Sequence, residues 1–121
     1  MVPSILIVED DLTFSTMLKT WLGKKGFEVE TASTQAKARK QIGTRDFDLI
    51  LSDLRLPDQD GLSLLSWLRE QGNQVPFIIM TSYAEIQSAV RAMKEGATDY
   101  NSKQVPPEEL QQKIKEAIHP E

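Results

Sequence analysis

An α/β fold built on a doubly wound parallel sheet, with helices on both faces, is predicted by three features of this sequence. Short strand-like runs alternate with helix-like segments five times over along 121 residues. Several runs, such as Ile5-Leu6-Ile7-Val8 and Phe77-Ile78-Ile79-Met80, are apolar at every position, which suits strands covered on both faces. Three of them also end on an acidic or reactive polar residue, and parallel sheets place their chemistry just beyond the carboxyl ends of their strands.

The elements follow from local signals in chain order. Ile5 to Val8 forms the first strand. Phe14, Met17, Leu18, Trp21 and Leu22 then recur at helical spacing, with Asp11 as the cap and Lys24-Lys25-Gly26 as a cationic last turn and stop. Phe27 and Val29 alternate with Glu28 and Glu30 in a second strand, and Ser33 or Thr34 caps an alanine-rich helix reaching about Gly43. The third strand, Leu49-Ile50-Leu51-Ser52, runs into Asp53.

A turn-rich stretch from Leu56 to Gly61 precedes a helix carrying Leu62, Leu65 and Leu68, which stops at Gly72. The fourth strand lies beyond Pro76. Ile86, Ala89, Val90 and Met93 give an amphipathic helix closing at Gly96, and Asp99 to Ser102 is a short, polar fifth strand. Pro107 opens the last helix, whose Leu110, Ile114, Ala117 and Ile118 face the core. Met17, Met80 and Met93 fall on apolar faces and read as core filler. Arg91, Lys94 and Glu95 read as a solvated helix face, and His119 as an exposed residue past the core.

A composition of 40% hydrophobic and 26% charged residues suits one domain with a core, and the length leaves no room for a second. The lack of cysteine excludes disulfides and thiolate chemistry and fits a cytoplasmic location. No run approaches membrane-spanning length, so no membrane partner is expected. A net charge of −4, with basic residues dispersed, argues against direct nucleic-acid binding. The chain ends at His119-Pro120-Glu121, which fits either a whole protein or an excised module.

With the first and third strands adjacent, Glu9 and Asp10 face Asp53. Three carboxylates in one crevice repel one another, and the usual remedy is a hard divalent cation; without His or Cys nearby, Mg2+ is favoured over Zn2+. A carboxylate can also act as a nucleophile toward phosphorus when cations neutralise the transferring oxygens. Lys103 at the exit of the fifth strand supplies such a cation, and the Thr81 hydroxyl can donate to a phosphoryl oxygen.

The motifs ILIVEDD, DLILSDLRLPDQDG, IIMTSYA and GATDYNSK, in that order, make the chain resemble the receiver domain of bacterial two-component response regulators over essentially all 121 residues. The resemblance implies a (βα)5 fold of strand order 2-1-3-4-5, with residues 1–121 forming the receiver domain and any output domain outside this chain. It implies Asp53 as phosphoacceptor, Mg2+ held by Asp10, Asp53 and the main-chain carbonyl of Arg55, and Glu9 acting through a metal-bound water. Thr81 and Tyr100 match the switch pair and Lys103 the phosphate-binding lysine. The implied donor is a sensor histidine kinase or a histidine phosphotransfer protein. The segment AEIQSAVRAMKEGATDY is most similar to NtrC-type activators, which implies downstream ATPase and DNA-binding domains, a role in transcription and homodimerisation on phosphorylation.

One departure stands out. The family's lysine is usually followed by proline, often in a cis bond, whereas this chain reads Lys103-Gln104. A cis bond before a non-proline costs about 2.5–4 kcal/mol, so the loop is either trans or strained. Asn101 and Ser102 also replace the usual aliphatic content of the fifth strand. Arg55 and Tyr83, two positions beyond Asp53 and Thr81, are long side chains that predict a shielded, persistent phosphorylated state.

Plainer roles compete at several positions. Asp11 reads as a helix cap, Asp58 and Asp60 as solvated loop formers, Thr81 as a β-branched strand end, and Tyr100 equally as a half-buried aromatic. Other functional classes fit less well. A phosphatase of the haloacid-dehalogenase kind needs a second acid where Arg55 stands. A nucleotide or flavin module needs a glycine-rich loop where Asp10-Asp11-Leu12-Thr13 stands. A receiver-like interaction domain that is never phosphorylated is disfavoured by the intact acidic set, while Gln104 keeps that alternative open.

Overall fold

Strands that are apolar at every position must be covered twice, and period-two alternation decides which side chain goes to which cover. The computed structural model describes residues 2–82 and 85–119. In it Ser4–Val8 (β1), Glu28–Ala32 (β2), Leu49–Ser52 (β3), Phe77–Thr81 (β4) and Asp99–Ser102 (β5) form one parallel sheet in the order β2-β1-β3-β4-β5. Helices Leu12–Lys24 (α1), Gln35–Ile42 (α2), Gly61–Glu70 (α3) and Ile86–Lys94 (α4) make the crossovers, and Pro107–Ile118 (α5) follows the last strand. Class and order are those the sequence and its resemblance imply.

The two rows of each strand feed separate cores. Leu6, Val8, Ile50, Phe77 and Ile79 pack with Ala38 of α2, Leu62, Leu64, Leu65 and Leu68 of α3 and Ala92 of α4. Ile5, Ile7, Leu49, Leu51, Ile78 and Met80 pack with Leu18 and Leu22 of α1 and Leu110 and Ile114 of α5. Burying each such side chain contributes roughly 1.5–3 kcal/mol, so a sheet insulated on both faces holds the strand exits rigidly.

Local caps fix where the helices begin. Asp11 Oδ1 accepts from the Phe14 N–H at 3.1 Å, Thr34 Oγ1 from Lys37 N–H at 3.1 Å, and Asp60 Oδ1 from Leu62 N–H at 2.6 Å. Pro107 stands in the first turn of α5 and His119 is exposed at its end. Despite the polar Asn101 and Ser102, β5 pairs fully with β4, Met80 opposite Asn101 and Thr81 opposite Ser102. Asn101 is 7% exposed and its Nδ2 has no hydrogen-bond partner.

Several sequence expectations are corrected by packing. Met17 and Met93 are not core filler but 55% and 49% exposed, while Met80 is buried. In α4 the apolar stripe points outward, with Ile86 84% and Val90 49% exposed, and Ala92 is the residue buried against the sheet. A stripe of helical period shows that one face is apolar, and tertiary context decides what it meets. Glu95 is not simply solvated, since its Oε2 accepts from Ser66 Oγ of α3 at 2.9 Å.

Gly61 is required for close approach. A Cβ there would lie 2.3 Å from the main-chain oxygen of Asp53, while the Gly61 N–H donates to Leu54 O at 2.7 Å. Gly61→Ala is expected to lower stability by about 1–3 kcal/mol through backbone displacement, read as a drop in the urea midpoint. Asn101→Val, which replaces a buried unpartnered amide with a strand-forming apolar group, is expected to raise the same midpoint by the equivalent of about 1 kcal/mol. A midpoint unchanged or lowered in Asn101→Val contradicts that accounting.

Candidate functional site

The exits of β1, β3 and β5 converge because β1 and β3 are neighbours and β5 lies one strand beyond β4. The Asp53 N–H donates to Val8 O at 2.9 Å and the Glu9 N–H to Ala32 O at 2.9 Å, so the ladder extends onto the acidic residues themselves. Glu9, Asp10 and Asp53 each present a carboxylate oxygen, all within 4.8 Å of one another. Glu9 and Asp53 are 3% and 8% exposed, whereas Asp10 faces solvent.

Lys103 closes this acidic group. Its Nζ pairs with Glu9 Oε1 and, at 3.0 Å, with Asp53 Oδ2. The Lys103–Gln104 peptide is trans, since no cis bond occurs among the described residues, so the lysine reaches the site without the strained alternative. Phe14 lies beside it, with its ring centre 4.9 Å from Nζ, a cation–π contact across the α1 side of the crevice.

The electrostatics follow from burial and pairing. Burial pushes the Glu9 carboxyl up to about 7, and the Asp53 charge adds to that, while hydrogen bonds from Lys103 and the Asp11 N–H partly offset it. Burial alone would lower Lys103, but its hydrogen bonds to Glu9 and Asp53 and their charges outweigh it, so the ammonium is held above its ordinary value. The site is thus an acidic pocket in which Lys103 is a fixed cation.

All donors in the cluster are oxygens. Together with two buried carboxylates that the lysine only partly neutralises, this set fits a hard divalent cation such as Mg2+. The Arg55 N–H donates to Asp53 Oδ1 at 3.3 Å, which brings the Arg55 main chain to the site.

Thr81 ends β4 with no exposure, continuing the row of Phe77 and Ile79 on the α4 side. Tyr100, opposite Ile79 in β5, packs on the same core, and its hydroxyl accepts from the Glu85 N–H at 3.4 Å. Glu85 caps α4 without a side-chain bond, so this hydroxyl meets the start of the helix at its cap residue. Tyr83, expected to join Arg55 in shielding, lies outside the described residues.

Sequence reasoning missed a clamp on the loop after Asp53. Asp58 is not merely a solvated turn residue: its Oδ1 and Oδ2 accept from the Gln35 and Ala36 N–H groups at the start of α2, both at 3.0 Å. These bonds, that of Gln35 foremost, hold Asp58 below the usual carboxylate range. Gln35, fully buried, donates to Asp60 O at 2.9 Å and Ser63 Oγ at 2.8 Å. Nothing local in Asp58 signals a partner 23 residues away in the chain.

A parallel five-stranded α/β domain with a carboxylate triad and an inward lysine at its strand exits defines a phosphoryl-accepting signalling domain. The chain belongs to the response regulator receiver domain family, whose profile matches residues 5–115. It is 35% identical over 114 residues to the transcriptional regulatory protein ZraR of Escherichia coli O157:H7, covering 94% of this chain and 26% of ZraR. The chain therefore spans about a quarter of that regulator's length. Among solved structures, a CheY-like receiver domain protein from Methanospirillum hungatei superposes with a TM-score of 0.94 at 34% identity, over 99% of this chain and 96% of the other. The beryllofluoride-activated NtrC4 receiver domain dimer superposes with a TM-score of 0.91 at 28% identity, over 97% of each chain.

The Glu9 pKa makes a signed prediction for metal-free protein. Because the folded value lies above the unfolded one near 4.5, stability is fully present below about pH 4.5 and falls as pH rises through about 7. Glu9→Gln in chelator is therefore expected to melt several degrees above wild type at pH 8, on the order of 2 kcal/mol, with little gain at pH 5. A gain equal at both pH values contradicts this origin.

Proposed function

We propose that this chain accepts a phosphoryl group on Asp53 from a phosphohistidine of a sensor kinase or phosphotransfer protein. The observation that carries the reading is the Asp53 carboxylate, set between the Glu9–Asp10 pair and the Lys103 ammonium. An Asp53 carboxylate oxygen attacks phosphorus, the bond from phosphorus to the donor nitrogen breaks, and its electron pair stays with the leaving imidazole. Lys103 stabilises charge on the transferring oxygens, and Thr81 offers its hydroxyl to one of them.

Asp10, Asp53 and the Arg55 carbonyl would hold Mg2+, with Glu9 acting through water. The cation supplies further neutralisation of the phosphoryl oxygens when bound. The domain performs this transfer and its hydrolysis on itself alone, so its role is signalling rather than turnover of a substrate.

For the output, a phosphoryl group on Asp53 draws Thr81 toward it, and Tyr100 follows into the space vacated on the same side of the sheet. That movement breaks the Tyr100 hydroxyl contact with the start of α4. The far end of α4 stays tied to α3 through Ser66–Glu95 and the Arg69 guanidinium on Gly96 O at 2.8 Å. The exposed Ile86, Val90 and Met93 then become a face for a second phosphorylated copy, a reading favoured by the dimeric state of the NtrC4 receiver. Residues 1–121 act as the receiver of a cytoplasmic transcription regulator whose ATPase and DNA-binding parts lie outside this chain. No described helix is long and apolar enough to cross a membrane.

Incubation with acetyl phosphate and Mg2+ is expected to add one phosphoryl group per chain, mapped to Asp53 by mass spectrometry and absent from Asp53→Asn. Undiminished modification of Asp53→Asn would sink the assignment, and no modification of wild type with either acetyl phosphate or a phosphohistidine donor would favour an interaction domain that works unphosphorylated.

A further inference from the structure

Lysine has a long, flexible side chain, so where its ammonium sits depends on how firmly its own backbone is held. At the exit of β5 the Val105 N–H donates to Ser102 O at 3.1 Å and the Gln104 N–H to Ser102 Oγ at 3.1 Å. Between them, the Lys103 N–H donates to Thr81 O at 2.9 Å. Ser102 thus closes a four-residue turn twice, once with its carbonyl and once with its hydroxyl, the side chain bonding the backbone two residues on.

We infer that Ser102 is a positioning residue for phosphoryl transfer, its hydroxyl fixing the turn that aims Lys103 at Asp53. The inference rests on the reading of Asp53 as phosphoacceptor. Its physical basis is specific to this chain. A proline at position 104 would carry no N–H, and the Ser102 hydroxyl would have no donor to accept from. Serine at 102 and a residue other than proline at 104 therefore form a matched pair. They hold a trans Lys103–Gln104 peptide in place, and the lysine reaches Glu9 and Asp53 from it. Without the hydroxyl, the N–H of the exposed Gln104 is left to water and the turn keeps only its main-chain closure. Lys103 then spreads over more rotamers, and fewer of them meet the transferring phosphoryl group.

The test is the rate of phosphorylation by acetyl phosphate at saturating Mg2+, followed by intact mass, for wild type, Ser102→Ala, Ser102→Thr, Lys103→Ala and Ser102→Ala with Lys103→Ala. Ser102→Ala is expected to be about three- to tenfold slower, the scale of one lost hydrogen bond, and Ser102→Thr, which keeps the hydroxyl, to stay near wild type. In the Lys103→Ala background, Ser102→Ala is expected to add nothing, because the lysine it aims is gone; a merely structural serine would slow both backgrounds alike. Ser102→Ala at the wild-type rate, or an equal slowing in both backgrounds, overturns the inference while Asp53→Asn still blocks phosphorylation. Undiminished modification of Asp53→Asn overturns the phosphoacceptor reading instead.

Discussion

The ion-pair triangle of Lys103 with Glu9 and Asp53 is the constraint around which the strand exits are arranged. Two buried carboxylates beside a third cannot share a crevice without compensation, and burial first, with the Asp53 charge adding to it, holds the Glu9 carboxyl above its ordinary value despite the Lys103 ammonium. This arrangement costs stability, and its all-oxygen donor set is of the kind that suits a hard divalent cation. The doubly covered sheet sustains the cost, because each strand that carries an acidic exit is buried on both faces.

Rigidity around Asp53 comes from backbone packing as much as from charge. The loop after Asp53 is pressed against Gly61, capped into α3 by Asp60 and pinned across space to the start of α2 by Asp58. Buried Gln35 joins α2 to the same loop through Asp60 and Ser63. A side chain held this way has little freedom left to lose, which is what the proposed attack of Asp53 on phosphorus would require.

The side of the sheet facing α4 has the opposite character. α4 buries Ala92 and leaves Ile86, Val90 and Met93 exposed, so it gains less from packing than α1, α3 and α5. Its C-terminal end is tied to α3 through Glu95 and Gly96, while its N-terminal end meets the Tyr100 hydroxyl at 3.4 Å. The contrast between a rigid acidic exit and a lightly held helix two strands away is what the proposed switch relies on, since the weakest contacts give first.

The sequence by itself determined the strands, the helix starts and the acidic exits, because these depend on short-range signals. Continuous apolarity marks Ile5 to Val8 as doubly buried, Asp11 and Thr34 cap the helices that follow them, and the resemblance carried by the motifs around Asp53 supplied the strand order. Ser102 also left a local trace, a serine two residues before the N–H it accepts from. Tertiary structure alone decided which apolar faces were covered. Met17, Val90 and Met93 lie on regular apolar stripes and are exposed, since periodicity describes one element and burial needs two. It also decided that Asp58 caps α2 and that Lys103, placed at the site by the resemblance, reaches it on a trans peptide. Asp58 finds its partner 23 residues away, and the Lys103 ammonium meets Glu9 and Asp53 across the sheet, contacts that no local pattern encodes even though the turn behind the lysine is local.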